Sequence, residues 1–206
     1  MNNYDKIMFV SGDVYTVIIS MMQKGWLGIK ESSINRIIYL ASVLFSFMFD
    51  DERNPFQEHY NFSITLSGPE DPTISAALTH LQSNEVVNIG DNGYFIANFN
   101  YKENFTGYSY YELKRKWIDD ISYIIGLYGE GKIYDFVFRD PQYQNGVKTN
   151  TLVPLNLQKD NATVKFLNSF KEDFEKQVSI NQKLTNRKYL ELYFEYVFGK
   201  ILRGDL

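Results

Sequence analysis

Two histidines, His59 and His80, are the only imidazoles in this 206-residue chain. His59 follows Glu58 on the approach to an extended run, and His80 lies between Thr79 and Leu81 in a short helical pattern. A metal site or an acid–base pair needs further ligands or carboxylates at matched spacing, and none accompanies them. Both are read as surface or packing residues. The acidic pairs Asp50-Asp51 and Asp119-Asp120 carry the ligand type that Mg²⁺ takes, yet such pairs at helix surfaces are ordinarily solvated faces. The segment Gly126-Leu127-Tyr128-Gly129-Glu130-Gly131 has glycines but no strand before it and no Lys-Ser/Thr after it, so it lacks the context of a phosphate loop. Gly129 and Gly131 are read instead as ending the preceding helix. No Gly-X-Ser-X-Gly elbow occurs. The absence of cysteine excludes disulfides, thiolate metal sites and a cysteine nucleophile. The expectation is a non-catalytic chain with no cofactor and no metal.

The elements that position these residues are unusually aromatic. Sixteen Tyr, sixteen Phe and two Trp make up 17% of the chain. Each removes roughly 150–250 Å² from water when buried, so the excess fills either a core or an interface. The N-terminus lacks the pattern of a signal peptide, and the longest apolar stretch, Ile37 to Phe49, is too short for a membrane span. A cytoplasmic protein with no membrane association is therefore expected, and the Asn-X-Ser/Thr triplets at Asn61, Asn104 and Asn161 are chance matches on that reading. Net charge is −4 and unevenly spread. Residues 1–100 carry five Lys/Arg against eleven Asp/Glu, and residues 101–206 carry sixteen against fourteen.

Periodicity predicts a first helix from about Ser11 to Lys24, with Ser11 and Asp13 as N-caps and Gly25 at its stop. A second helix, capped by Ser32 or Ser33, is apolar nearly all round from Ile34 to Phe49 and so is the central core helix. Asp50-Asp51-Glu52 returns the chain to water, and Pro55 prevents continuation. His59 to Leu66 alternates with period two and is read as a strand or extended lead-in, broken by Ser67-Gly68-Pro69. Asp71-Pro72 starts a short helix with Ile74, Ala77, Leu78 and Leu81 on its apolar side. Val86 to Ile89 and Tyr94 to Ile96 flank Gly90-Asp91-Asn92-Gly93 as a hairpin. Beyond it come a helix from about Tyr108 to Tyr128, a short element from Ile133 to Phe138, a turn at Asp140-Pro141, and helices near Ala162–Leu184 and Asn186–Leu202. Phe166, Phe170, Phe174 and Val178, spaced by four, form a helix–helix seam. The fold class is mainly α with a small β-hairpin (α+β). A winged-helix-like domain at 1–100 is followed by a mostly helical region at 101–206 packed on it.

Four segments carry a family resemblance: Ile34 to Ala41, the break Leu66-Ser67-Gly68-Pro69, the helix and hairpin from Ile74 to Ile89, and Tyr128 to Pro141. Together they resemble the small middle component of ABC-three-component phage-defence operons of the Lamassu type. They also resemble, more loosely, antitoxin-like winged-helix proteins with a Gly-Pro break before the third helix. The resemblance covers about the first 140 residues and brings no catalytic motif. It implies a winged-helix adaptor between an SMC-like coiled-coil ATPase and an effector, commonly a nuclease, with DNA reached only through the complex.

The rival reading is a winged-helix transcription regulator or antitoxin that binds DNA directly. The helix that would enter the major groove, Asp71 to Ser83, has no Lys or Arg; it is preceded by Glu70, and the wing tip carries Asp91. A regulator could still read bases with Thr79, Gln82 and Asn84, but without most of the electrostatic affinity. Lys114-Arg115-Lys116 and Lys183/Arg187/Lys188 are the basic clusters, each read as a solvated face. Protein binding is favoured, with the last helix as its candidate surface. Tyr189, Tyr193, Phe194, Tyr196 and Phe198 leave little polar area there, and tyrosine is enriched at interface hot spots. Whether these aromatics fill the core or meet a partner is open in the sequence.

Overall fold

The computed structural model describes residues 3–99, 110–149, 152–177 and 184–204. Eight helices and two small antiparallel hairpins follow in the order α1 (Asn3–Gln23), α2 (Glu31–Met48), β1 (Ser63–Thr65), β2 (Gly68–Glu70), α3 (Pro72–Ser83), β3 (Val87–Gly90), β4 (Gly93–Ile96), α4 (Tyr111–Gly126), α5 (Glu130–Phe138), α6 (Pro141–Thr149), α7 (Ala162–Gln177) and α8 (Asn186–Arg203). The architecture is mainly α with minor β. Among the described residues no helix is long and apolar enough to cross a membrane.

The sequence of α2 dictates the arrangement. Fifteen of its eighteen residues are buried, so other elements must cover it on every side. α1, α4, α5, α7 and α8 all pack against it, as does β2. The resulting core is continuous and takes side chains from both sides of residue 100, from Val10 through Ile38 and Trp117 to Phe198. The polar groups of α2 are tied as well. Arg36, buried against the Tyr134 ring at 4.7 Å, donates from Nη2 and Nε to the Ser67 carbonyl. Asn35 accepts from the Asp71 amide at 2.9 Å.

α1 packs on α3 and α4 and begins well before Ser11, at Asn3. Ser11 and Asp13 are therefore not caps. The Ser11 hydroxyl donates back to the Ile7 carbonyl at 2.8 Å. Asp13, buried, holds the Lys114 ammonium at 2.5 Å and accepts from the Tyr60 hydroxyl at 2.7 Å. Lys114 is buried too, which corrects its reading as a solvated face. The proposed cap of α2 also differs. The helix starts at Glu31 behind Lys30, which makes no side-chain cap bond, while Ser33 donates to Glu130 at the start of α5 at 2.7 Å.

Two predicted signals hold: Asp71 caps α3 by accepting from the Thr73 amide, and the Asp91-Asn92 turn joins β3 to β4 in the register Gly90↔Gly93. Ile29, just ahead of α2, forms a third rung by exchanging two backbone hydrogen bonds with Tyr94. That rung requires Gly93: a Cβ there would lie 2.4 Å from the Ile29 carbonyl oxygen, at a φ of +101°. The long extended run is cut down to the three residues of β1, and Gly68–Glu70 turns back on it as β2 instead of merely breaking it.

In the second half, α4 is described from Tyr111; Tyr108 lies outside the described residues. Gly129 does not end a helix but precedes α5 at φ +82°, and Gly131 lies within α5. Asp140-Pro141 starts α6 instead of making a bare turn. α7 is described to Gln177, Leu184 is not helical, and Val178 of the expected stripe lies outside the described residues. α8 begins behind Thr185, whose hydroxyl accepts from the Lys188 amide.

The buried Asp13–Lys114 pair gives a direct test of how α1 and α4 are joined. Lys114→Met leaves the Asp13 carboxylate uncompensated and should cost about 3–5 kcal/mol of unfolding free energy. The double change Asp13→Leu with Lys114→Met should recover most of that loss in urea melts. Equal losses in the single and double variants would show that the pair does not act as an isolated charge couple.

Candidate functional site

Of the titratable residues singled out in the sequence, Asp50 and Asp51 are exposed, and the others described below make structural contacts. Asp119 accepts from the Ser20 hydroxyl at 2.6 Å and from Lys24 at 3.1 Å. Asp120 meets Arg187 of α8 at 3.4 Å. Arg187 also pairs with Glu191, as does Lys188, and Lys183 lies outside the described residues. No group of three or more metal-capable side chains gathers among the described residues. His80 sits on the flank of α3 with Asn84 beside its ring.

His59 is buried and stacks on Phe9 at 4.6 Å between ring centroids. Its Nδ1 is enclosed without a hydrogen-bond partner among the described residues. Burial, reinforced by the charges of Lys114 and Lys6, lowers its pKa to about 4. The adjoining Asp13 carboxyl is pushed upward by burial, against the opposing pull of Lys114 and Tyr60.

The five aromatics of α8 divide. Tyr189, Tyr193, Phe194 and Phe198 are buried in the chain's own core, which corrects their candidacy as an interface. α5 and α7 cover them. Phe136 of α5 stacks on Phe194 and Phe198, each at 4.9 Å, and Tyr128 stacks on Phe198 at 3.7 Å. Phe174 of α7 meets Tyr189 edge-on at 5.9 Å. Tyr196 alone of the five is exposed, at 49%.

Tyr196 stands on the lip of an apolar groove of about 630 Å³ formed by the end of α5, the start of α6, and α7 and α8. Phe166, 43% exposed, lines it too, 5.9 Å from the Tyr193 ring, with Phe138, Pro141 and the buried Tyr193 and Val197. The Phe138 wall is braced by stacking on Tyr134 at 4.2 Å and by contact with Tyr143 at 5.0 Å. Among the described residues two cations line the groove, Arg139 and Lys200, and no carboxylate does. The Lys200 ammonium lies 4.5 Å from the centre of the Tyr196 ring, and Arg139 donates to the Asp135 carbonyl at 2.9 Å.

A buried carboxylate holds these walls in place. Asp140 accepts from the Tyr39 hydroxyl of α2 at 2.5 Å, from the Thr163 hydroxyl of α7 at 2.6 Å and from the Tyr143 amide of α6 at 3.0 Å. It thereby caps α6 and joins it to two neighbours. Burial raises the Asp140 pKa while these hydrogen bonds oppose the rise. Burial, with Asp140 nearby, also puts the Tyr193 hydroxyl well above its ordinary range. Gln142 and residues 162–163 complete the α6–α7 joint through two further bonds.

Of the groove residues, the sequence pointed to Tyr193 and Tyr196 as interface and to Phe166 as seam. It missed Phe138, Arg139, Pro141 and Lys200. Asp140-Pro141 is a helix-start signal of the same kind as Asp71-Pro72, and Lys200 lies four residues beyond Tyr196, so both were findable.

Two outcomes follow. Tyr193→Ala and Phe194→Ala should each lower unfolding free energy by about 3–5 kcal/mol, whereas Tyr196→Ala should change it by about 0.5 kcal/mol or less; urea melts on the three variants decide this. The second concerns pH. The folded chain disfavours the His59 imidazolium, while the unfolded chain protonates near the usual histidine value of about 6.5. The unfolded state therefore binds more protons between those values, and stability present above pH ~6.5 is lost as pH falls toward 4. The full shift is worth up to about 3 kcal/mol. His59→Phe should flatten the decline between pH 7.5 and 4.5, and parallel curves for variant and parent would contradict this origin.

No family model matches the chain, no curated protein matches its sequence, and no solved structure matches its fold.

Proposed function

We propose that this chain is a non-catalytic winged-helix adaptor of a multi-protein anti-phage defence complex, linking an SMC-like coiled-coil ATPase to an effector such as a nuclease. The layout α1, the Ile29 rung, α2, α3 and the β3–β4 hairpin is compatible with a winged helix. The observation that carries the choice of protein over DNA is the outer face of α3. Ser75, Thr79 and Ser83 are exposed along it, short and uncharged, and its sequence has neither Lys nor Arg. Glu31 reaches across from α2 to accept from the Ser75 hydroxyl. Glu70 at the near end and Asp91 on the exposed hairpin tip add negative charge. A surface that must displace counterions from phosphate needs cations at these places.

The isolated chain should bind duplex DNA only in the non-specific range, with Kd of roughly 10⁻⁴ M or weaker at physiological salt, by fluorescence anisotropy. Co-expression with the products of the neighbouring genes should yield a stable complex on size-exclusion chromatography. A sequence-specific nanomolar complex with DNA, lost on Thr79→Ala or Gln82→Ala, would replace the adaptor by a regulator.

A further inference from the structure

We infer that the groove between α6, α7 and α8 is the docking site for a short segment of another protein that inserts one or two large apolar side chains and sets carboxylates against Arg139 and Lys200. This rests on the adaptor reading and deepens it by assigning the surface and the chemistry of the partner. Three observations support it. First, the groove is lined by two exposed aromatics from different helices, Phe166 and Tyr196, together with the buried Tyr193 and Val197. Exposed aromatics so placed are the material of interface hot spots. Second, Phe166 and Tyr196 stay 43% and 49% exposed, so a small molecule here would leave much of its surface in water, whereas buried ligands lose 70–90% of theirs. A chain segment needs to bury only its anchor side chains. Third, the two charged side chains that line the groove among the described residues, Arg139 and Lys200, are both cations, so the complementary ligand is anionic at its flanks.

The occupant is a different protein rather than a second copy. The chain's own apolar run with acidic residues beside it, Phe47-Met48-Phe49-Asp50-Asp51-Glu52, is already committed. Phe47 is buried, and Phe49 packs on Phe45 at 4.7 Å and on Trp117 at 5.6 Å. Its apolar half cannot leave without opening the core around α2.

The test uses the full chain and two fluorescein-labelled synthetic peptides of about 12 residues, each carrying Trp and Leu one helical turn apart. One is flanked by glutamates and the other by lysines. The glutamate peptide should bind at least about tenfold more tightly in anisotropy titrations at low salt, and the preference should shrink as salt rises. Tyr196→Ala should weaken it by about tenfold or more, and Lys200→Glu should reverse the preference while the variants retain the parent's melting curve. Equal affinity for the two peptides, no binding of either at millimolar concentration, or an effect-free Tyr196→Ala would overturn the assignment. So would a concentration-dependent dimer, by light scattering, that Tyr196→Ala dissociates, because the occupant would then be a second copy. The adaptor reading fails separately. If the complex with neighbouring gene products forms undiminished with Tyr196→Ala and Lys200→Glu, the adaptor stands and the groove is not its contact; if no such complex forms while the glutamate peptide binds as expected, the groove stands and the adaptor does not.

Discussion

Everything in this fold answers to one constraint, the near-complete burial of α2. A helix apolar on all sides has no wet face, so its neighbours must supply contacts around the full circumference. The backbone shows how closely they do so. Three successive carbonyls of α2, those of Ala41, Ser42 and Val43, each accept an additional side-chain hydrogen bond from a different segment: Trp117 at 2.7 Å, Asn54 at 2.8 Å and Asn161 at 3.0 Å. A fourth, at Phe47 near the C-terminus, accepts from Asn186 at 2.9 Å. A carbonyl oxygen has two lone pairs, and the second needs a partner where water is excluded. Helix, loop and C-terminal half are thus fastened to one turn of one helix by side chains whose amides and indole have no better acceptor. The same logic places Asp140, which reaches Tyr39 on α2 while capping α6, so the groove wall inherits its position from the central helix.

This constraint explains what could be read in advance and what could not. Local signals with local partners were legible: the Asp71-Pro72 start, the Asp91-Asn92 turn, the all-round hydrophobicity of α2, the extent of α8. Polar residues whose partners are remote in sequence were not. Ser11 and Asp13 have the residue types of a helix cap, and nothing nearby in the sequence distinguishes that role from a buried ion pair with a lysine about a hundred positions away. Lys114, flanked by Arg115 and Lys116, looked solvated for the same reason. Its pairing depends on α4 packing on α1, which is a consequence of the fold and not of any window of residues. Asn161 stood out only as part of a glycosylation triplet, whereas its amide in fact spans from Val43 to Gln158.

The aromatic excess divides by a similar rule. α8 is covered by its neighbours, because α5 packs Phe136 against both its Phe194 and Phe198 rings and α7 lays Phe174 against Tyr189. Core filling accounts for four of the five aromatics first considered for an interface, and for the high overall aromatic content without invoking a partner at all. Among the described residues Tyr4, Phe99, Tyr110, Tyr123, Tyr134, Phe166 on α7 and Tyr196 on α8 remain exposed. The significance of the last two comes from lining one groove together, since single exposed aromatics are normal on protein surfaces. A four-residue period along α7 identifies a stripe, but it does not say which member of the stripe slips past the edge of the neighbouring helix and into water.

Charge asymmetry along the sequence acquires a spatial meaning in this arrangement. The acidic first hundred residues build α3 and the β3–β4 hairpin, the surfaces that a winged helix uses on DNA, and they present carboxylates and short polar groups there. The mildly basic remainder builds the groove and lines it with Arg139 and Lys200. An encounter complex is steered by such fields over roughly a Debye length, about 8–10 Å at physiological salt. On the proposed reading, an anionic partner is drawn toward the α6–α8 face and turned away from α3, where the carboxylates of Glu70 and Asp91 disfavour a nucleic acid. Partner selection of this kind needs no additional contact at the binding site, because the wrong orientation is already disfavoured at a distance.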